Sequence, residues 1–174
     1  MATHRVSILG ASTVPDTSGN CWQEPYTILA TNDVWGLLVF RFGSSNAAQP
    51  TTRIGLRGQF NVPKNYVGTA KLIVVWTATV TTGDVVWDFD YDAISGNDTE
   101  SLDQAAPPQE AVTGTDTAPG AANRRLELSI TLTAGNFAAD DTVEFELFRD
   151  GADAADTMAA SAILFGAFFE YADV

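Results

Sequence analysis

The sequence predicts an all-β protein: a single antiparallel β-sandwich, jelly-roll-like, with about eight strands and an extended N-terminal arm. Three observations carry that expectation. Apolar residues alternate with a period of two through most of the chain, the pattern of strands with one face in a core. Turn-forming residues interrupt the alternation at short intervals. No stretch of ordinary helical length has a 3.6-residue period, and 14 glycines and 7 prolines discourage long helices.

Taken in order, the first 27 residues differ from the rest. Gly10, Pro15, Gly19 and Pro25 are scattered among Ser, Thr, Asn and Asp, with one strand-like piece, Arg5 to Leu9. Residues 1–27 therefore read as an extended arm and 28–174 as the sandwich. Such arms are commonly laid on a neighbouring molecule. The side chains of the arm suited to that contact are Arg5, Val6, Ile8, Trp22 and Tyr26.

Three segments are apolar on both sides: Val34 to Phe42, Lys71 to Ala78 and Ala162 to Tyr171. Each is expected to be central in the fold or to face a partner. Clean alternation marks three more strands. Trp87, Phe89 and Tyr91 interleave with Asp88, Asp90 and Asp92; Leu126, Leu128, Ile130 and Leu132 with Glu127, Ser129 and Thr131; Val143, Phe145 and Leu147 with Thr142, Glu144 and Glu146. Thr82-Gly83-Asp84 separates two strand patterns as a hairpin turn would. Gly43 to Asn46 and Asn61 to Asn65 are turn-rich connections. The segment Asn97 to Asn123 should hold one short strand near Gln109 to Thr115, and Gly151 to Ala160 a loop or one helical turn.

A chain of 174 residues suits one domain with its own core. Its net charge of −13 argues against nucleic acid as a partner, because phosphate binding needs a basic face. The charge is uneven. Residues 1–75 carry six basic against three acidic groups, whereas 76–174 carry three against 19, so an acidic outer region is expected. MATHRVSILG runs into polar turn residues, so no secretory leader is expected. No stretch approaches the roughly 18 apolar residues of a membrane span, and no membrane partner is expected.

Catalytic chemistry finds little support. His4 is the lone histidine and sits in the arm, which leaves a Ser or Cys nucleophile without a base. Neither GxGxxG nor GxxxxGK[ST] occurs, so no phosphate cradle is suggested. Cys21 is alone, which excludes an internal disulfide framework and a CxxC metal site, and reads as a small buried hydrophobe. Asp88, Asp90 and Asp92 share one strand face at a spacing of about 7 Å, but a straight strand diverges carboxylates that a cation needs converged. Asp150, Asp153 and Asp156 share a loop whose spacing matches no defined calcium loop. No metal or cofactor is expected. Paired carboxylates could serve glycoside hydrolysis, yet 22 acidic residues supply many chance pairs and single none out. Of the tryptophans that could stack on a sugar, Trp76 and Trp87 read as core; Trp35 is less settled, and Trp22 reads as an anchor for the arm. An enzyme is not expected.

From about Thr51 onward the chain resembles β-sandwich domains of tailed-bacteriophage structural proteins. Three stretches carry the resemblance: KLIVVWTATVTTGDVVWDFDYDAI, TDTAPGAANRRLELSITLT and AADDTVEFELFRDGADAADTMAASAILFGAFFEY, with DTVEFELFRDGADAADT the most specific part. The resemblance implies a virion structural protein without catalytic residues. The form it suggests first is a capsid decoration (cement) protein, made in the host cytoplasm and carried on the capsid surface. It would bind the major capsid protein as a homotrimer and stabilise the assembled head. On that reading Arg5, Val6, Ile8, Trp22 and Tyr26 are the capsid or neighbour-subunit contacts. The alternative is a receptor- or glycan-binding module of a phage fibre or tail.

Overall fold

The computed structural model describes residues 2–10, 12–15, 21–26, 37–43, 48–96 and 100–173. In chain order its strands are β1 (Thr3–Ser7), β2 (Val14–Pro15), β3 (Cys21–Tyr26), β4 (Leu37–Phe42), β5 (Arg53–Asn61), β6 (Tyr66–Thr77), β7 (Asp84–Ile94), β8 (Glu110–Thr117), β9 (Leu126–Leu132), β10 (Thr142–Asp150) and β11 (Ala162–Asp173). They form two antiparallel sheets. One has the order β3-β4-β11-β6-β9, with β1 also paired to β11; the other has the order β2-β5-β10-β7-β8. The single short helical element described is a 3₁₀ turn, Ala134–Asn136. The all-β sandwich expected from the sequence is the fold observed.

The period-two pattern explains the core directly. Val143, Phe145 and Leu147 of β10, Ile54 and Leu56 of β5, and Trp87, Phe89 and Tyr91 of β7 point inward from one sheet. Leu72, Val74 and Trp76 of β6 and Leu164, Ala167 and Phe169 of β11 meet them from the other. Aromatic rings tie the layers together. Trp87 lies edge-on to Phe42 and Trp76, at centroid distances of 5.1 and 6.0 Å, and Tyr91 stacks on Phe137 at 4.9 Å. Such pairs add about 0.5–1.5 kcal/mol each beyond the area they bury.

The segments apolar on both faces are neighbours: β4, β11 and β6 lie side by side in the six-stranded sheet. Their outward residues Val39 and Ile163 pack with Phe165 in a small second cluster. Arg5 spans the same face, donating from Nε to Glu170 on β11 and from Nη1 to Glu127 on β9, both at 2.8 Å. Long side chains laid flat in this way cover apolar surface while keeping their charge paired.

Two expectations are corrected here. The short Thr82-Gly83-Asp84 connection is not a hairpin, because β6 and β7 belong to different sheets. Gly83 has φ +93°, and a Cβ there would lie 2.5 Å from Cα of Met158, so the chain crosses between layers at a point that only glycine fits. The described residues of the N-terminal segment also differ from an extended arm. β1 pairs with β11 in register from Thr3↔Ala172 to Ser7↔Phe168, β3 pairs with β4, and Ile8 is 1% exposed inside the core.

The most deeply placed charge among the described residues is Arg149, in phase with the inward residues of β10 and fully buried. Its Nε and Nη2 donate to the two carboxylate oxygens of Asp156 at 2.8 and 2.7 Å. Nη1 donates to the carbonyl of Ala160, and Nη2 also to that of Met158 at 2.7 Å. Asp156 in turn accepts from the backbone N–H of Val86 at 3.1 Å and from Nε2 of Gln49 at 3.1 Å. Every charge in the pair is met by several hydrogen bonds, the condition under which a buried ion pair is tolerated. The clamp fixes the 151–160 loop against β7.

Candidate functional site

The side chains of β5, β10 and β7 that do not enter the core face outward together. The register sets them in rows: Arg57, Glu146 and Asp90 across one, and Gln59, Glu144 and Asp92 across the next. A further row holds Gly55, Phe148 and Asp88. Two walls turn this face into a groove. One is the loop of Gln104, Ala105, Ala106 and Pro108; the other is formed by Ser12 and Val14, where β2 pairs with β5. The groove has a volume of about 620 Å³, within the range of roughly 300–1,000 Å³ usual for ligand sites.

The first wall is held to the floor through Asp92 and Gln109. The backbone N–H of Gln109 donates to Oδ1 of Asp92 at 2.8 Å, and the N–H of Ala93 donates to Oε1 of Gln109 at 3.0 Å. The second wall is a tight turn in which Thr13 N–H donates to the Gly10 carbonyl at 3.0 Å and Gly10 N–H donates to Oγ1 of Thr13 at 2.9 Å. Both walls are therefore tied by local hydrogen bonds.

The charges on the floor are unevenly compensated. Arg53 donates from Nε to Asp88 at 3.0 Å and from Nη2 to Asp90 at 2.9 Å, and Arg57 pairs with Glu146. Asp88 also accepts from the Thr113 hydroxyl at 2.8 Å. That leaves the directly opposed pair Asp92 and Glu144. No described cation pairs with either carboxylate. The side chains of Glu144 and Gln59 make no hydrogen bond to the described residues, so their acceptors and the Gln59 amide donors face the groove uncommitted. Phe148, the aromatic residue at one end of this floor, is covered: the Arg53 guanidinium lies 4.0 Å above its ring.

Behind the groove, Glu110 joins the sheets. It accepts from the Thr133 backbone N–H at 3.0 Å, from the Thr133 hydroxyl at 2.6 Å and from the Tyr91 hydroxyl. Burial pushes the Glu110 carboxyl up, but the bonds from Thr133 and Tyr91 together outweigh it and hold the carboxyl below the usual glutamate value. Burial raises the Tyr91 phenol, and the Glu110 carboxylate raises it further.

The residues singled out from the sequence are dispersed. Asp88, Asp90 and Asp92 share the groove face as the alternation implied. Asp150 and Asp153 accept from the backbone N–H groups of Ala152 and Ala155 within their own turn, and Asp156 is committed to Arg149. Among the described residues no group of three potential metal ligands comes together. Trp76 and Trp87 are core residues, and Cys21 is buried. Trp22 donates to Glu24 at 2.7 Å on the other sheet, and Glu24 is also paired with Arg41. Trp35 and the side chain of Tyr26 lie outside the described residues. Of the expected contact residues, Arg5 is engaged with Glu127 and Glu170, Val6 packs against the core and Ile8 is within it. His4 pairs with Asp173 at 2.8 Å. Sequence reasoning missed the groove because it depends on β10 (Thr142–Asp150) lying between β5 (Arg53–Asn61) and β7 (Asp84–Ile94), neither of which is its neighbour along the chain.

No protein-family model matches the chain. No curated protein matches it in sequence. Its likeness to known proteins is structural. A family 35 carbohydrate-binding module from Clostridium thermocellum superposes with a TM-score of 0.50 at 12% identity, over 100% of both chains. A module of the same family from Paenibacillus barcinonensis gives 0.50 at 11% identity, over 97% of this chain and 98% of its own. An arabinose-bound α-L-arabinofuranosidase gives 0.50 at 12% identity, but the matching region is 23% of that enzyme's length. At such identities the likeness is one of fold, and the fold is the jelly-roll sandwich of carbohydrate-binding modules.

Proposed function

We propose that this chain is a non-catalytic glycan-binding β-sandwich domain whose site is the groove over β5, β10 and β7. The observation that carries this reading is a walled, solvent-open groove floored by uncommitted polar side chains, Gln59 and Glu144. Sugar hydroxyls are bidentate partners for such amides and carboxylates, and a site with its hydrogen-bonding groups already placed loses little on ordering them. The likeness to carbohydrate-binding modules, two of which match over nearly their whole length, supports the same reading. A glycan array probed with the purified domain is expected to give a restricted set of positives, and the pair Gln59→Ala with Glu144→Ala to abolish them without changing the melting midpoint. An array on which this variant binds like the parent would move the site elsewhere.

The second reading is the capsid decoration protein implied by the resemblance from Thr51 onward. It is favoured by exposed apolar residues on β4, Leu37 at 51% and Leu38 at 63%, which a second subunit or a shell surface would cover. It would make the domain part of a phage particle, where glycan binding would serve a fibre or tail. Light scattering and co-sedimentation with undecorated heads test it. A monomer at micromolar concentration that leaves heads unbound removes it.

A further inference from the structure

We infer that the groove selects glycans carrying free amino groups, of the glucosamine type, over their neutral counterparts, and rejects those bearing carboxylate or sulfate. This rests on the groove being the glycan site. In an antiparallel pair, side chains directly opposite stand about 4.5–5.5 Å apart at Cβ, and like charges there repel. The floor has two such pairs in adjacent rows, Glu146 opposite Asp90 and Glu144 opposite Asp92. The first is relieved by Arg57 on Glu146 and Arg53 on Asp90. The second has no described cation, and among the described residues the one side-chain bond to it is from the Gln109 N–H to Asp92. The groove thus holds a repulsion that its own residues leave in place.

A ligand ammonium seated between Asp92 and Glu144 meets that need. It carries three donors, and the groove offers three acceptors in one row: Asp92, Glu144 and the Gln59 carbonyl oxygen. A neutral hydroxyl or N-acetyl group in the same place forms hydrogen bonds but leaves the two carboxylates repelling each other. An anionic glycan adds a third negative charge. The net charge of −13 acts in the same direction at long range, drawing cationic ligands in and turning anionic ones away.

The test is calorimetric titration of the intact chain with three tetrasaccharides: glucosamine, N-acetylglucosamine and galacturonic acid. The glucosamine form is expected to bind at least tenfold tighter than the N-acetylated form, with the advantage shrinking as salt is raised. The galacturonate is expected to be weakest. The double variant Asp92→Asn with Glu144→Gln should lose the glucosamine advantage and should melt no lower than the parent, since it removes a repulsion. Equal binding of glucosamine and N-acetylglucosamine, or tight galacturonate binding, overturns the charge selection while leaving the glycan site standing. Silence from all three, together with an empty glycan array, overturns the site itself.

Discussion

Replacing Asp156 by alanine would strand Arg149, the most buried charge among the described residues. The Arg149 guanidinium, 0% exposed, would lose both oxygens of its bidentate partner and keep only backbone carbonyls of Met158, Ala160 and Phe42. The N–H of Val86 would lose its carboxylate acceptor as well. Breaking a buried pair by removing one member costs about 3–5 kcal/mol, because the remaining charge stays desolvated. In a chain of this length each kcal/mol moves the melting midpoint by about 2–4 °C, so a fall of roughly 6–20 °C is expected. Arg149→Met should cost a similar amount, because Asp156 would stay buried without a counter-charge, keeping only the bonds from Val86 and Gln49, and the carbonyls of Met158 and Ala160 would lose the guanidinium donor. The double variant Arg149→Met with Asp156→Ala should be more stable than the two single losses added together, since no charge is left uncompensated. It should still fall short of the parent, because the carbonyls of Met158 and Ala160 lose their donor. Calorimetric or urea unfolding of the four proteins completes the cycle. A loss below about 1 kcal/mol in either single variant, or strict additivity in the double, would mean that water reaches the pair, and would refute the argument.

Three further outcomes follow from the packing. Ile8→Ala should cost about 2–5 kcal/mol in urea unfolding, because Ile8 is a core residue; an unchanged midpoint would return the N-terminal segment to the status of an arm. Gly151→Ala should destabilise by about 1–3 kcal/mol, since its Cβ would fall 2.2 Å from the Pro50 carbonyl oxygen, whereas Gly120→Ala, with nothing within 4 Å, should leave the melting curve unmoved. Glu110 sets an acid limit. Its carboxyl is lowered in the folded state, so its contribution is complete above the ordinary value of 4.5 and is lost as pH falls from there through the folded value. Glu110→Gln should flatten that part of the stability curve, and an unchanged slope would show that the Thr133 and Tyr91 bonds do not favour the charged form.

Much of the sandwich was legible because strand faces are local. The alternation in Leu126 to Leu132 and Val143 to Leu147 named inward and outward residues correctly, and the short strand expected near Gln109 to Thr115 is β8, Glu110–Thr117. Even the buried arginine had a local sign, since Arg149 keeps the phase of Val143, Phe145 and Leu147. Partnership between strands was not legible. A tight glycine turn looks the same in sequence whether the next strand pairs with the last or crosses to the other layer, which is why the sequence around Gly83 suggests a hairpin. The N-terminal segment looked loose because its prolines and glycines flank short strands, and because the partner that orders β1 is β11, at the opposite end of the chain. The acidic face of Asp88, Asp90 and Asp92 was visible, but the opposition of Asp92 to Glu144 was not.

The two outer faces of the sandwich differ in a way that bears on where the proposed glycan site lies. On the six-stranded sheet the charges close on one another: Arg5 bridges Glu127 and Glu170, Arg125 joins Glu127, and Lys71 lies 3.7 Å from Glu170. The hydrogen bonds to Arg5 and Arg125 hold the Glu127 carboxyl below its usual range, the behaviour of a group already satisfied. On the five-stranded sheet the cations stop one row short, and a walled groove lies over the row they leave out. A surface that has met its own electrostatic needs gains little from a polar ligand. A concave surface that has not met them can gain much, and it keeps that capacity only because the aromatic core and the Arg149 clamp hold the sheet beneath it in place.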